Sequence, residues 1–274
     1  MFEVPIIVNE VLNDYIDLMN EHLPNVLEGV YIHGSIALNA YVNGSSDIDF
    51  ITVTNRRLVD GDAKILTEIH KTVAEKHKNI DMDGVYILWG DLGKVTKEEP
   101  IFLVYNGGEL NFEAYISPIT WWIVKKNGIN VVGPDRTSLS IDINTSEITK
   151  YVIENMNSYW ASRIQRMENS IGELINFPSD VINQEIEWTV LGLLRQYFTL
   201  KEHNITSKLG VGEYALQHVP AEWHKIIKES INIRKGVKEN LYTSNQERID
   251  AALAFSTYII NYCNNHLIMK KVDA

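Results

Sequence analysis

Val30-Tyr31-Ile32-His33-Gly34-Ser35 and, a short interval later, Ser46-Asp47-Ile48-Asp49-Phe50-Ile51-Thr52-Val53-Thr54 are the two stretches that decide how this chain reads. The first is apolar and β-prone until Gly34-Ser35 breaks it, and residues 36–41 then suit a helical turn. Asn43-Gly44-Ser45-Ser46 reads as a turn. The second stretch, rich in β-branched and aromatic residues, is expected to be a strand of a largely buried sheet over 47–54, with two acids at its head. Side chains alternate along a strand, so Asp47 and Asp49 share a face, roughly 6–7 Å apart along the backbone.

Outward from this centre the pattern continues. Ile6, Ile7, Val11, Leu12, Tyr15, Ile16 and Leu18 recur at helical spacing over residues 5–23, and Ile65, Leu66, Ile69, Val73 and Ala74 do so over 63–77. Residues 83–89 form a third apolar strand. Between 90 and 140, Gly107-Gly108, Trp121-Trp122 and Gly133-Pro134-Asp135 mark turns between short elements whose order the pattern does not fix. From about residue 148 the pattern is helical nearly throughout, in runs near 149–172, 181–202, 210–218, 221–233 and 245–269. The fold class expected is α+β: a mixed sheet flanked by helices over residues 1–145, then an α-helical bundle over 146–274.

Composition narrows the function. With 25 Lys and Arg against 36 Asp and Glu, the net charge is −11, whereas a nucleic-acid binder needs a basic face to neutralise phosphates. An acidic surface would instead steer a small polycation inward. The N-terminus lacks the basic and long apolar regions of a signal peptide, and the apolar run near 251–263 falls short of the ~20 residues that cross a bilayer. Cys263 is the single cysteine and is read as a buried free thiol. A cytoplasmic monomer with no membrane association is expected, and the eight histidines show no zinc-ligand spacing.

Two carboxylates at this spacing repel each other unless a cation lies between them. Mg²⁺ is the hard ion that accepts oxygen ligands together with nucleotide phosphates. Gly34-Ser35, at a strand-to-helix handover, is where backbone N–H groups and a hydroxyl can hold a triphosphate. A third acid, Asp83 or Asp81, stands where it could take an acceptor's proton. Asp-x-Asp alone at a strand start usually caps a turn; the upstream Gly-Ser and an apolar strand on either side give it the functional reading. His33 reads as a core residue.

These residues resemble the aminoglycoside 3''/9 adenylyltransferases of the polymerase-beta-like nucleotidyltransferase superfamily, in which an apolar strand, Gly-Ser and Ser-Asp-Ile-Asp follow at similar intervals. The similarity extends to Glu109-Leu-Asn-Phe-Glu-Ala-Tyr115, Val132-Gly-Pro-Asp135, Trp188-Thr-Val-Leu-Gly-Leu-Leu-Arg195 and Thr206-Ser-Lys208. The resemblance implies transfer of AMP from ATP to a hydroxyl of a small cationic acceptor such as streptomycin or spectinomycin. Asp47 and Asp49 would hold Mg²⁺, with Asp83 the base. Gly34, Ser35, Ser46, Arg195 and Lys208 would contact the nucleotide, and Tyr115, Glu185 and Trp188 the acceptor. ATP would then draw on both domains. The third acid departs from the family, which has a glutamate where this chain has Asp83-Gly84, with Asp81 two residues earlier. Other acceptors of the same chemistry are a lincosamide or a protein side chain; a catalytically idle nucleotide-binding protein is the reading from another class.

Overall fold

The computed structural model describes residues 4–78, 80–95, 102–113 and 116–268. The chain divides into two compact units, Met1–Asn144 and Thr145–Ala274.

In the first unit α1 (Ile6–His22) leads into β1 (Leu27–Ile32), the four-residue α2 (Gly34–Ala37), β2 (Ile48–Thr54), α3 (Asp60–Lys76) and β3 (Met82–Ile87). A hairpin follows, β4 (Phe102–Asn106) and β5 (Glu109–Glu113), then α4 (Pro118–Asn127) and β6 (Ile129–Val132). The strands form one mixed sheet in the order β5-β4-β3-β2-β1-β6. Only β2 and β3 run parallel; the other pairings are antiparallel. The turn after β1 is tighter than the pattern suggested, since α2 begins at Gly34 itself and ends at Ala37. Strand β2 begins at Ile48, leaving Asp47 in the loop just ahead of it.

Apolar side chains of α1 and α3, among them Val11, Leu12, Leu66 and Ile69, cover β2 together with Phe50 and Tyr86. Polar groups buried beneath them are paired, as the interior demands. The Tyr15 hydroxyl lies 2.7 Å from Thr52 Oγ1 and donates to the Tyr86 hydroxyl at 3.2 Å, which in turn lies 2.6 Å from His70 Nε2. Burial pushes the His70 imidazole down to about 3 and so keeps it neutral. Gly84 completes this packing: a Cβ there would lie 2.5 Å from the Phe50 ring.

The second unit is helical: α5 (Thr145–Asn155), a π-helical turn Met156–Trp160, α6 (Ala161–Asn169), α7 (Ile171–Leu174), α8 (Ser179–Glu202), α9 (Lys208–His218), α10 (His224–Arg234) and α11 (Asn245–Tyr262), with a second π-helical segment Cys263–Ile268. Helix α8 is the core element, burying Ile182, Ile186, Val190, Leu191, Leu193 and Leu194. Helix α9 starts at Lys208 because Ser207 caps it, its hydroxyl accepting from the Gly210 N–H at 3.0 Å. No helix among the described residues is long and apolar enough to cross a membrane.

Candidate active site

The antiparallel register of β1 and β2 sets Ile32 opposite Phe50, and the His33 N–H donates to the Asp49 carbonyl at 2.9 Å. The chain then turns through Gly34 with φ +59°, in the left-handed region that glycine alone enters without cost. A Cβ on Gly34 would lie 1.8 Å from Asp49 Oδ2 and 2.4 Å from Cγ. The Asp49 carboxylate is therefore laid directly against the Gly34 backbone, and the Gly-Ser turn and the acid form one unit. Ser35 Oγ is buried with no hydrogen-bond partner among the described residues. A hydroxyl left so costs free energy until something accepts from it. Ser46 is committed to the loop, its hydroxyl accepting from the Val42 N–H at 3.1 Å.

The parallel pairing of β2 and β3 places Asp83 beside Asp49. Burial raises the Asp83 carboxyl to about 6; the Gly107 N–H, donating to Oδ1 at 3.2 Å, opposes this, and repulsion from Asp47, Asp49 and Asp81 adds to it. Three further acids thus lie within electrostatic reach of Asp83. Asp47 is exposed and Asp49 half-buried. No group of three or more His, Cys, Asp and Glu among the described residues is arranged to hold an ion unaided. Burial pushes the His33 imidazole down to about 4, so it is uncharged near neutrality.

Tyr41, Tyr105 and Gly107 also belong to this edge; Gly107 was read from the sequence only as part of a turn, and neither tyrosine was read as a site residue. The Tyr41 phenol is pushed up by burial and then by Asp47, and the Tyr105 phenol by burial and then by Asp83 and Asp81. Tyr105 stacks on His70 at 3.5 Å between ring centroids. No motif marks the tyrosines, and the Gly107-Gly108 turn from β4 into β5 brings Gly107 to Asp83. Tyr115 lies outside the described residues.

In the helical unit Lys208, at the start of α9, donates to Glu187 Oε2 at 3.0 Å, and Arg234 Nε lies 3.7 Å from Glu187 Oε1. Burial lowers the Lys208 ammonium; Arg234 and Arg195 repel it, and Glu187 holds it up. Lys208 and Arg234 therefore both stand at Glu187, with Arg195 within electrostatic reach of Lys208. Trp188 is 43% exposed and not a core aromatic. The Lys208 ammonium lies 4.8 Å from its ring centroid and the Arg163 guanidinium 6.0 Å. Glu185 is held by Arg163 at 2.5 Å, so its charge is already matched. Arg163, Glu187 and Arg234 carried no sequence signal, since their pairings join helices distant along the chain.

A mixed sheet with clustered carboxylates beside a Gly-Ser turn, followed by a helical unit that carries Arg195 and Lys208, is the arrangement the sequence led us to expect of a nucleotidyltransferase. Comparison with known proteins points the same way. Residues 155–258 match the aminoglycoside adenylyltransferase C-terminal domain. Spectinomycin 9-adenylyltransferases of Staphylococcus aureus strains are 26% identical over 208 residues, 71% of this chain and 72% of theirs. The fold matches the crystal structure of a spectinomycin adenyltransferase from Enterococcus faecialis, with a TM-score of 0.68 at 17% identity, covering 94% of this chain and 99% of that one. Residues 155–258 thus correspond to the C-terminal domain of aminoglycoside adenylyltransferases, and the chain as a whole is similar in sequence and in fold to spectinomycin adenylyltransferases.

Proposed function

We propose that this protein transfers AMP from ATP to a hydroxyl of spectinomycin or a close aminocyclitol, with Mg²⁺ as cofactor. The named activity of the Staphylococcus aureus relatives, and the ATP and spectinomycin of the Enterococcus structure, support the substrate pair. The single observation that carries the chemistry is the Asp83 carboxyl, raised to about 6 and next to Asp49 in register.

The donor set fits Mg²⁺: hard carboxylate oxygens of Asp47 and Asp49, crowded by like charge and backed by a glycine that admits no side chain. When bound, the ion would neutralise charge on the triphosphate and help align it. Asp83 accepts the proton of the acceptor hydroxyl, and its raised pKa makes it a stronger base than an ordinary aspartate while leaving it mostly ionised at neutral pH. That oxygen attacks the α-phosphorus and pyrophosphate leaves. Ser35 donates its unsatisfied hydroxyl to a phosphate oxygen, and the Gly34 turn lets the phosphate approach closely. Arg195 and Lys208 offset charge on the departing pyrophosphate. Asp81, exposed and just ahead of β3, is the weaker candidate for the base. Trp188 offers an exposed ring to the acceptor, and Glu185 meets it only as half of an ion pair. The net charge of −11 favours approach of a cationic drug. We place the enzyme in the cytoplasm as a monomer.

The test is pyrophosphate release from Mg-ATP with spectinomycin. Asp83→Asn is expected to lower kcat by about 10²–10⁴-fold, the weight of a general base, and Asp81→Asn by less than about threefold. The reverse order would transfer the role to Asp81; full activity in both variants would remove the base from this strand.

A further inference from the structure

The Lys208 ammonium of the helical unit is held by a residue that the proposed chemistry does not use. Glu187, on α8, is 6% exposed. Its two oxygens face different helices, Oε2 accepting from Lys208 of α9 at 3.0 Å and Oε1 lying 3.7 Å from Arg234 Nε of α10. A carboxylate this deeply buried is costly unless well paired, and replacing it by an apolar residue would commonly cost little if stability were all it served. Helices α9 and α10 already pack through apolar contacts such as Ile231 against Gly212, so the carboxylate is not needed to join them; what it does is hold the Lys208 ammonium at their base. Arg195 and Arg234 each repel the Lys208 ammonium, which Glu187 holds in place and keeps charged. We infer that Glu187 is a positioning residue, which pins Lys208 so that it meets the polyphosphate of ATP as a preset donor; the inference rests on the proposed placement of ATP phosphates at Arg195 and Lys208.

Preset donors lose little freedom when the phosphate arrives, which is where the affinity comes from. The carboxylate also keeps Lys208 charged. Around this ammonium stand Glu187, Arg195 and the Trp188 ring from α8 and Arg234 from α10, while across Trp188 the Arg163 of α6 is neutralised by Glu185. Burial lowers the ammonium pKa, Arg234 and Arg195 lower it further, and Glu187 alone among them raises it. Without Glu187 the ammonium would shed its proton at lower pH, so the donor would be both misplaced and, on the alkaline side, uncharged.

The experiment is calorimetric titration of the full chain with Mg-ATP from about pH 7 to 10, beside thermal unfolding. Glu187→Gln is expected to weaken ATP binding about tenfold, with the alkaline loss of affinity beginning at lower pH than in the parent protein. In a Lys208→Ala background, Glu187→Gln adds less than about twofold and the pH step is absent, because the two act as one unit. Should Glu187→Gln not fold, Glu187→Asp is read instead: the withdrawn carboxylate gives a smaller loss of affinity with the pH step displaced in the same direction. If Lys208→Ala weakens ATP while the Glu187 variant leaves affinity and pH profile unchanged, or only lowers the melting temperature, Glu187 is structural and the inference is overturned. If Lys208→Ala itself leaves ATP affinity unchanged, the phosphate placement in the helical unit is wrong and both readings fall.

Discussion

Substituting Gly34 with alanine adds one methyl group at the point where the turn and the acid meet. Its Cβ would lie 1.8 Å from Asp49 Oδ2, 2.4 Å from Cγ and 2.9 Å from Cβ. Rotating the carboxylate relieves the first two contacts but not the third, so the backbone of β2 or of the turn must move. To restore van der Waals separation the Asp49 oxygen must retreat by roughly 1.5 Å. Alanine at φ +59° adds about 1–2 kcal/mol of backbone strain. Misplacement on the scale of 1 Å near reacting atoms costs about 10²-fold in rate, whereas the strain amounts to a modest fraction of ordinary folding stability. Gly34→Ala is therefore expected to stay folded, with a melting temperature a few degrees lower, and to lose about two orders of magnitude in kcat/KM for spectinomycin adenylylation. Pyrophosphate release under saturating Mg-ATP, beside a thermal unfolding curve, reads both. Activity within threefold of the parent would mean that Asp49 need not lie where it does, and the argument that joins the Gly-Ser turn to metal and phosphate would fail.

The pH profile tests Asp83 independently. Its folded pKa of about 6 is raised from the model-peptide value of 3.8, so the protein binds this proton more tightly than the unfolded chain does. The group adds nothing unfavourable below about pH 4, and as pH rises through 6 its ionisation lowers stability while creating the base. Accordingly kcat/KM is expected to climb through about pH 6 as stability slips, and Asp81→Asn, by removing one repelling charge, to move that limb toward lower pH; a rate flat from about pH 5 to 8 removes the base role. EDTA is expected to abolish turnover and added Mg²⁺ to restore it, with Asp47→Asn needing more Mg²⁺ for half-maximal rate. Full turnover in EDTA refutes the metal assignment. Gly84→Ala drives a Cβ to 2.5 Å from the Phe50 ring and is expected to destabilise by about 1–3 kcal/mol in urea unfolding; an unchanged midpoint would show that the ring has room to move.

How much of this was legible depends on the range over which each signal acts. Strand β2 could be read because Ile48, Phe50, Ile51 and Val53 are buried at the sheet centre, and burial imposes an unbroken apolar run. The α+β class followed from periodicity, which needs only neighbours along the chain. The hairpin β4–β5 could not be read, because β5, with Glu109, Asn111, Phe112 and Glu113 exposed, buries too little to impose alternation.

The choice between Asp83 and Asp81 shows the same limit inside the site. Two residues apart, they fall on one face in the alternation of the sequence, and no local rule separates them. What separates them is register: the pairing of Asp49 with Asp83 and the Gly107 N–H delivered by a hairpin, both set by contacts distant in sequence. Arg195 and Lys208 could be named only by resemblance, and Glu187, whose partners lie on two other helices, was beyond even that. Local patterns announce the carboxylates and the turn because chemistry ties those residues to one strand end. The partners that set their charge, and those that fix the cations, are chosen by tertiary pairing, so substitutions at Gly107, Glu187 and Arg234 are where a reading built on motifs alone would expect silence and the structure expects an effect.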